Sequence, residues 1–297
     1  MSWFLAALAG PLLFAAANTF DSVLANRHFR SVVTLIFYGA SLNVIFLPLI
    51  WLVGRPAWPA VAPLLLLFVV AVLDTAYLIP YYLAMRHEDA SVVTALFSLS
   101  YVFVPVLSFF FLGEVLRPLQ YVGFFLIIAG SLYLAWRPGA RLRSPRAALY
   151  MTVVALLLSV EGVIYKRALY DVSWTTGFFW PRLFAFLLVL PAGFLASFRR
   201  DARQQLTRLR QFLPTLSIEE LTTFLGTAAV TFALSRVSVT VVRAIGALGP
   251  IFVLLYAVIF ERRHPQLFRE AIDRRSVAAK AAVCLIMFGG VALVVRP

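Results

Sequence analysis

The sequence predicts an all-α membrane protein: ten transmembrane helices arranged as two inverted five-helix repeats. Three observations carry that prediction. Hydrophobic residues fill 62% of the 297 positions and only 13% are charged, a balance that leaves too little polar surface for a water-soluble domain. Ten apolar windows have the length of a bilayer crossing, which takes roughly 20 residues at about 1.5 Å rise each. The two halves of the chain also resemble each other.

The windows run at 3–25, 31–53, 60–85, 90–112, 118–136, 147–170, 174–198, 212–235, 238–260 and 277–295. The first lacks a basic segment before it, and Asn18, Thr19 and Asp21 interrupt its apolar run, so it reads as a retained span rather than a signal peptide. The third opens on the continuous run from Val61 to Val72. Such runs lack the alternation of an outer-membrane strand. The fourth holds Pro105, the fifth Gly123 and Gly130, the sixth Glu161 and Lys166, and the seventh Arg182. The eighth carries the adjacent pair Glu219 and Glu220, the ninth Arg243, Gly246 and Gly249, and the tenth Cys284.

The stretch from Ala84 to Val104 aligns without gaps on Ala233 to Val253, pairing Val92 with Val241, Val93 with Val242, Ala95 with Ala244 and Phe103 with Phe252. Further on, Leu126, Ile127, Gly130, Arg137 and Pro138 match Leu285, Ile286, Gly289, Arg296 and Pro297. The repeats are therefore taken as residues 1–138 and 147–297, with five spans each. An odd number of spans inserts the second copy upside down relative to the first, the arrangement of many alternating-access carriers.

Basic residues separate sharply between the two sets of loops. The side opposite the N-terminus collects 18 Lys and Arg, including four Arg from 137 to 146 and six basic residues from Arg262 to Lys280, against five on the other side. Basic loops stay cytoplasmic, so both termini are expected outside the cell, periplasmic in a bacterial inner membrane. The net charge of +13 follows from these loops and implies no nucleic-acid partner. Cys284 is alone, and His28, His87 and His264 lie at helix ends or in loops, so no metal site, disulfide framework or cofactor is expected. Phosphate-binding loops, nucleophile elbows and zinc-protease motifs are absent from the sequence; it is not read as an enzyme.

The stretch Ala90-Ser-Val-Val-Thr-Ala-Leu, with Pro105, Gly113-Glu114, Gly123 and Gly130, is echoed in the second half by Pro250, Glu261 and Gly289-Gly290. In these features the whole chain resembles the EamA-type branch of the drug/metabolite transporter superfamily. The resemblance implies a ten-span secondary transporter. It also implies cytoplasmic termini, the reverse of the charge count.

An ionisable group inside the membrane costs several kcal/mol and so needs a partner, a watery cavity or a function. Eight lie inside the windows: Asp21, Asp74, Glu161, Lys166, Arg182, Glu219, Glu220 and Arg243. Asp74 and Glu161 fall near mid-membrane, while Lys166, Arg182 and Arg243 share the third nearest the termini, as if they faced one cavity. Glu219 and Glu220 point about 100° apart on a helix, so only Glu220, in line with Thr223 and Thr227, is expected to face it. Asn18 and Asp21 form a polar face on the first span, and Tyr77, Tyr81, Phe97, Tyr101, Tyr165 and Trp180 are candidate lining residues.

The expected function is secondary active transport of a small polar anionic or zwitterionic metabolite, of amino-acid or organic-acid type. Arg182 and Arg243 would bind its anionic group, with Lys166 near the mouth, and Asp74 or Glu161 would carry a coupling proton. The alternative is a flippase that receives a lipid or lipid-linked phosphate head group in the cationic cluster. Besides the solute, the expected partners are membrane lipid and, as an option the sequence leaves open, a second copy in a homodimer.

Overall fold

The computed structural model describes residues 2–88, 93, 96, 97, 99–135, 144–260 and 274–295. The first half contains α1 (Ser2–Val23), continued by a π turn at Leu24–His28, and α2 (Val32–Phe46), continued by a 3-10 turn at Leu47–Leu52. The third span is α3 (Val61–Ala76) plus α4 (Leu78–His87), followed by α5 (Leu99–Leu112) and α6 (Pro118–Ala135). The second half contains α7 (Pro145–Ala168), α8 (Trp174–Val189) with a 3-10 turn at Leu190–Phe194, and the short α9 (Ala196–Leu206). Next come α10 (Leu209–Leu234), α11 (Val239–Gly246), α12 (Gly249–Phe260) and α13 (Arg274–Val295). With α3–α4 and α11–α12 each counted as one broken span, ten membrane-crossing segments are distinguishable among the described residues, and none of these residues is in a strand.

Helices form because the bilayer offers backbone groups no partner but each other. The side chains then sort by solvent: Phe110, Phe111 and Leu285 are each 73% exposed, as expected of a face turned to lipid rather than water. Among the described residues, five helical segments are long and apolar enough to span a membrane alone, Val61–His87 and Trp174–Phe194 among them. The eighth span is long enough as well, 26 residues, but carries Glu219 and Glu220 at its middle.

Packing repeats between the halves. The first span packs on the eighth and the sixth on the third; the fourth packs on the sixth and the ninth on the first. The fifth and tenth spans pack on each other, as do the second and seventh. Exchanging the halves leaves this pattern unchanged, and five spans per half set the two copies in opposite directions. The fifth and tenth spans cross at glycine: a methyl built on Gly290 falls 2.8 Å from the carbonyl oxygen of Gly123, so only hydrogen allows that approach.

Two breaks shape the middle of the bundle. The third span is interrupted at Tyr77, three residues before Pro80. The ninth is interrupted at Ala247 and Leu248, just before Pro250, which lacks the N–H that would continue the ladder. At the fourth-to-fifth turn Gly113 adopts φ +66°, a region open chiefly to glycine. The turn brings the Glu114 carboxylate to the start of α11, where it accepts from the backbone N–H of Val239 at 3.0 Å.

The seventh span ends sooner than its predicted window: the membrane helix stops at Phe194, and the basic segment after it folds as α9. Phe198 packs its ring 5.0 Å from that of Phe37, and Thr34 Oγ1 donates to Asp201 Oδ2 at 2.6 Å, fastening α9 across the second span. The residues Ala90, Ser91, Val92, Thr94 and Ala95, the Arg137–Pro138 and Arg296–Pro297 pairs, Glu261 and Arg262 lie outside the described residues.

Candidate functional site

Where the halves meet, a cavity of about 230 Å³ opens, lined by α1, α2, the broken third span, α5, α7, α8, α10 and the ninth span. Its volume is below the roughly 300–1,000 Å³ usual for drug-sized ligands and suits a small solute. Seven of the eight intramembrane ionisable residues converge on it. Asp74, Glu161, Arg182, Arg243, Asp21, Glu219 and Glu220 all line the cavity.

At one end two ion pairs form between spans. Arg243 on the ninth span donates through Nη2 to Glu161 Oε2 on the sixth at 2.7 Å. Arg182 on the seventh reaches Asp74 Oδ2 on the third at a looser 3.5 Å. The tight pair has its carboxylate 6% exposed, against 15% for Asp74. Buried pairs of this kind roughly balance desolvation when complete and become costly when one partner is removed. The Arg243 guanidinium rests on Gly162, where a methyl would come 2.9 Å from Nη2.

The other end holds carboxyls that no described cation meets within ion-pairing distance. Asp21 on α1 accepts from Tyr82 at 2.8 Å and from Tyr81 at 2.9 Å, while Tyr81 also reaches Asn18 Oδ1 at 3.0 Å. Glu220 on α10 accepts from Asn43 Nδ2 on α2, and Glu219 accepts from Thr223 at 3.0 Å. Among the described residues no Lys, Arg or His forms a salt bridge with Asp21, Glu219 or Glu220. Gly39 is what lets Glu220 lie there, because any side chain at that position would overlap its carboxyl group.

Tyr77 and Tyr101 line the cavity. Tyr77 packs with Tyr81 and Phe97 at ring separations of 6.3 Å each, and Phe97 lies 5.8 Å from Tyr81. Gly249 has open space where a side chain would be, and Gly246 faces the Tyr101 hydroxyl. Both glycines line the cavity, although close helix packing is the commoner use of such residues.

Three details depart from the sequence reading. Glu219 and Glu220 both face the cavity, because it covers more than the 100° of α10 that separates them. Lys166 does not line it: Nζ donates to the carbonyls of Leu234 and Val237 at 2.7 and 2.8 Å and lies 4.9 Å from the Tyr170 ring centre. That site satisfies carbonyls at the end of α10, which have no intrahelical donor. Trp180 also stands outside the lining, donating Nε1 to the Ala57 carbonyl at 3.0 Å.

Tyr165 lines the cavity as expected of it, and so do Asn43 and Tyr82, which the sequence does not single out. The only sequence signal for Asn43 is a lone amide in an otherwise apolar window. Among the described residues no group of three His, Cys, Asp or Glu is arranged to hold a metal ion.

No curated protein matches the chain. A solved structure described only as a crystal structure of a protein superposes over 99% of this chain and 96% of its own, with a TM-score of 0.64 at 18% identity. That likeness concerns the fold alone. The model of the EamA-like transporter family matches twice, at residues 1–136 and 145–271. The chain therefore belongs to the EamA-like transporter family, multi-pass membrane transporters of the drug/metabolite type.

Proposed function

We propose that the protein is a secondary carrier that moves a small zwitterionic or anionic metabolite through the central cavity by alternating access of its two halves. The observation that carries this reading is the meeting of Arg182 and Arg243, from the seventh and ninth spans, with Asp74 and Glu161 in one cavity. Two guanidiniums inside the membrane are expensive unless they serve a solute, and their planar donors suit a carboxylate held bidentately.

The ion pairs supply a coupling route. A substrate carboxylate competes with Asp74 for Arg182, or with Glu161 for Arg243. Protonation of the displaced side chain removes a buried negative charge that has lost its partner. One proton is then taken up as one anion binds, so the two travel together and the site stays close to neutral. The 3.5 Å separation makes Arg182 the easier guanidinium to recruit.

The same reading places the chain in a cell inner membrane with both termini periplasmic, on the basic-loop asymmetry, and leaves room for a homodimer. A C-terminal fusion decides orientation: alkaline phosphatase activity without cytoplasmic fluorescence is expected, and the reverse result would mean that the family's habit prevails.

The carrier reading is tested in proteoliposomes loaded with a panel of amino acids and organic acids. Arg182→Gln and Arg243→Gln are each expected to lower counterflow at least about a hundredfold, a loss of the size a charge-assisted bidentate contact provides. Wild-type rates in both variants would refute it. A flippase would instead move a fluorescent phospholipid in the same vesicles and leave the metabolites untouched.

A further inference from the structure

The end of the cavity away from the two ion pairs contains buried acceptors. Asn43 Oδ1 is buried with no donor among the described residues, Glu219 Oε2 is buried with none besides the neighbouring Glu220 carboxyl, and both side chains line the cavity. Asn43 is 7% exposed and Glu219 4%. A buried acceptor left empty costs about 1–3 kcal/mol, and here two occur together beside the carboxyls of Asp21 and Glu220.

The neighbours narrow what is missing. The ordinary donors nearby are already used: Asn43 Nδ2 is spent on Glu220, the Thr223 hydroxyl on Glu219, and the hydroxyls of Tyr81 and Tyr82 on Asp21. The missing group must bring several N–H or O–H donors and positive charge. A metal ion fits poorly, since no group of three metal-ligating side chains converges among the described residues. An ammonium group fits well: it offers three donors, and the faces of Tyr77, Tyr81 and Phe97 supply the aromatic surface that attracts such cations.

We infer that this end of the cavity is a binding site for a primary ammonium group, with Asn43 Oδ1 and Glu219 Oε2 as its hydrogen-bond acceptors and Asp21 and Glu220 as its counter-charge. The inference rests on the carrier reading and deepens it. A solute that fills both ends has a carboxylate toward Arg182 and an amine toward Asn43, which selects amino acids and excludes organic acids without an amine.

The test measures binding to the purified full chain in lipid nanodiscs by thermal shift and calorimetry, with three sets of probes: the common amino acids, the amines formed by decarboxylating them, and the acids formed by removing the amine. Stabilisation by amino acids and more weakly by amines is expected. Asn43→Leu and Glu219→Gln, each confirmed as folded by size exclusion and circular dichroism, should weaken the binding of amines at least about tenfold. Stabilisation by the deaminated acids alone, by none of the sets, or equally in wild type and both variants would overturn the ammonium site.

Arg182→Gln separates this failure from failure of the carrier reading. If acids bind and depend on Arg182 but not on Asn43 or Glu219, the carrier stands and the ammonium site falls. If amines bind through Asn43 and Glu219 but no solute depends on Arg182 or Arg243, the ammonium site stands and the proposed transport of a carboxylate falls.

Discussion

The two ends of the cavity are made from equivalent spans but hold charge in opposite ways. Glu161 and Asp74 stand on the sixth and third spans; Asp21 and the Glu219–Glu220 pair stand on the first and eighth, their counterparts when the halves are exchanged. At the first end, Arg182 and Arg243 pair with the carboxylates. At the second, the span equivalent to the seventh offers Asn43, and the ungapped alignment puts Thr94 opposite Arg243. Two duplicated half-sites have thus diverged by the placement of two guanidiniums. One is ion-paired, and the other leaves its carboxyls to hydroxyl and amide donors. A shared scaffold fixes where charge sits; only the local partner decides whether it is neutralised.

The largest effect is expected where that neutralisation is tightest. Arg243→Gln leaves Glu161 buried without its partner and should destabilise the chain by about 3–5 kcal/mol, read as a lowered thermal midpoint in detergent. Adding Glu161→Gln should recover most of that stability without recovering transport. If the single variant unfolds no more readily than Asp21→Asn, the two ends do not differ as described.

Lys166→Met comes next. It removes two charge-assisted bonds to the carbonyls of Leu234 and Val237 and should cost about 2 kcal/mol while leaving the KM for transport unchanged. A raised KM would return Lys166 to the site.

Gly39→Ala sharpens the view of the acidic end. Its methyl overlaps the Glu220 carboxyl, so a cost of about 1–3 kcal/mol from overpacking is expected, together with weaker solute binding although no charge is altered. Unchanged binding would show that the position of Glu220 is immaterial.

Arg182→Gln should give the smallest stability change, under about 1 kcal/mol, because its partner is 3.5 Å away and both side chains are partly open to the cavity. Its effect on transport should nevertheless be near-complete, and that separation of stability from activity is what distinguishes a recruited guanidinium from a structural one.

How much of this was legible in the sequence depends on the kind of signal. The spans and the repeat follow from solvent physics, so window length and the matching of Ala84 to Val104 with Ala233 to Val253 sufficed. The converging charges were legible by depth: Asp74 and Glu161 fall near mid-membrane, Arg182 and Arg243 share the third nearest the termini, and all four line one cavity. Partner choice was not legible. Nothing in the linear order sends Glu161 to Arg243 on the ninth span rather than to Lys166 one turn away. Most positions of α9 are polar or basic, so nothing in its composition marks it as packing on the second span, and only the contacts of Phe198 and Asp201 show what it binds. Asn43 was passed over because its window is apolar on all sides, so no stripe singles out one face.

The central claim is that both half-sites open into the same water-filled cavity, and cysteine accessibility in nanodiscs tests it without knowledge of the solute. In a Cys284→Ser background, Arg182→Cys and Asp21→Cys should each react with a charged, membrane-impermeant methanethiosulfonate at least about tenfold faster than Leu285→Cys, whose position is 73% exposed on the lipid face, because only thiols in contact with water ionise and meet the reagent. If either cavity position reacts as slowly as Leu285→Cys in protein that remains folded, the two ends do not share one aqueous site and the account is contradicted.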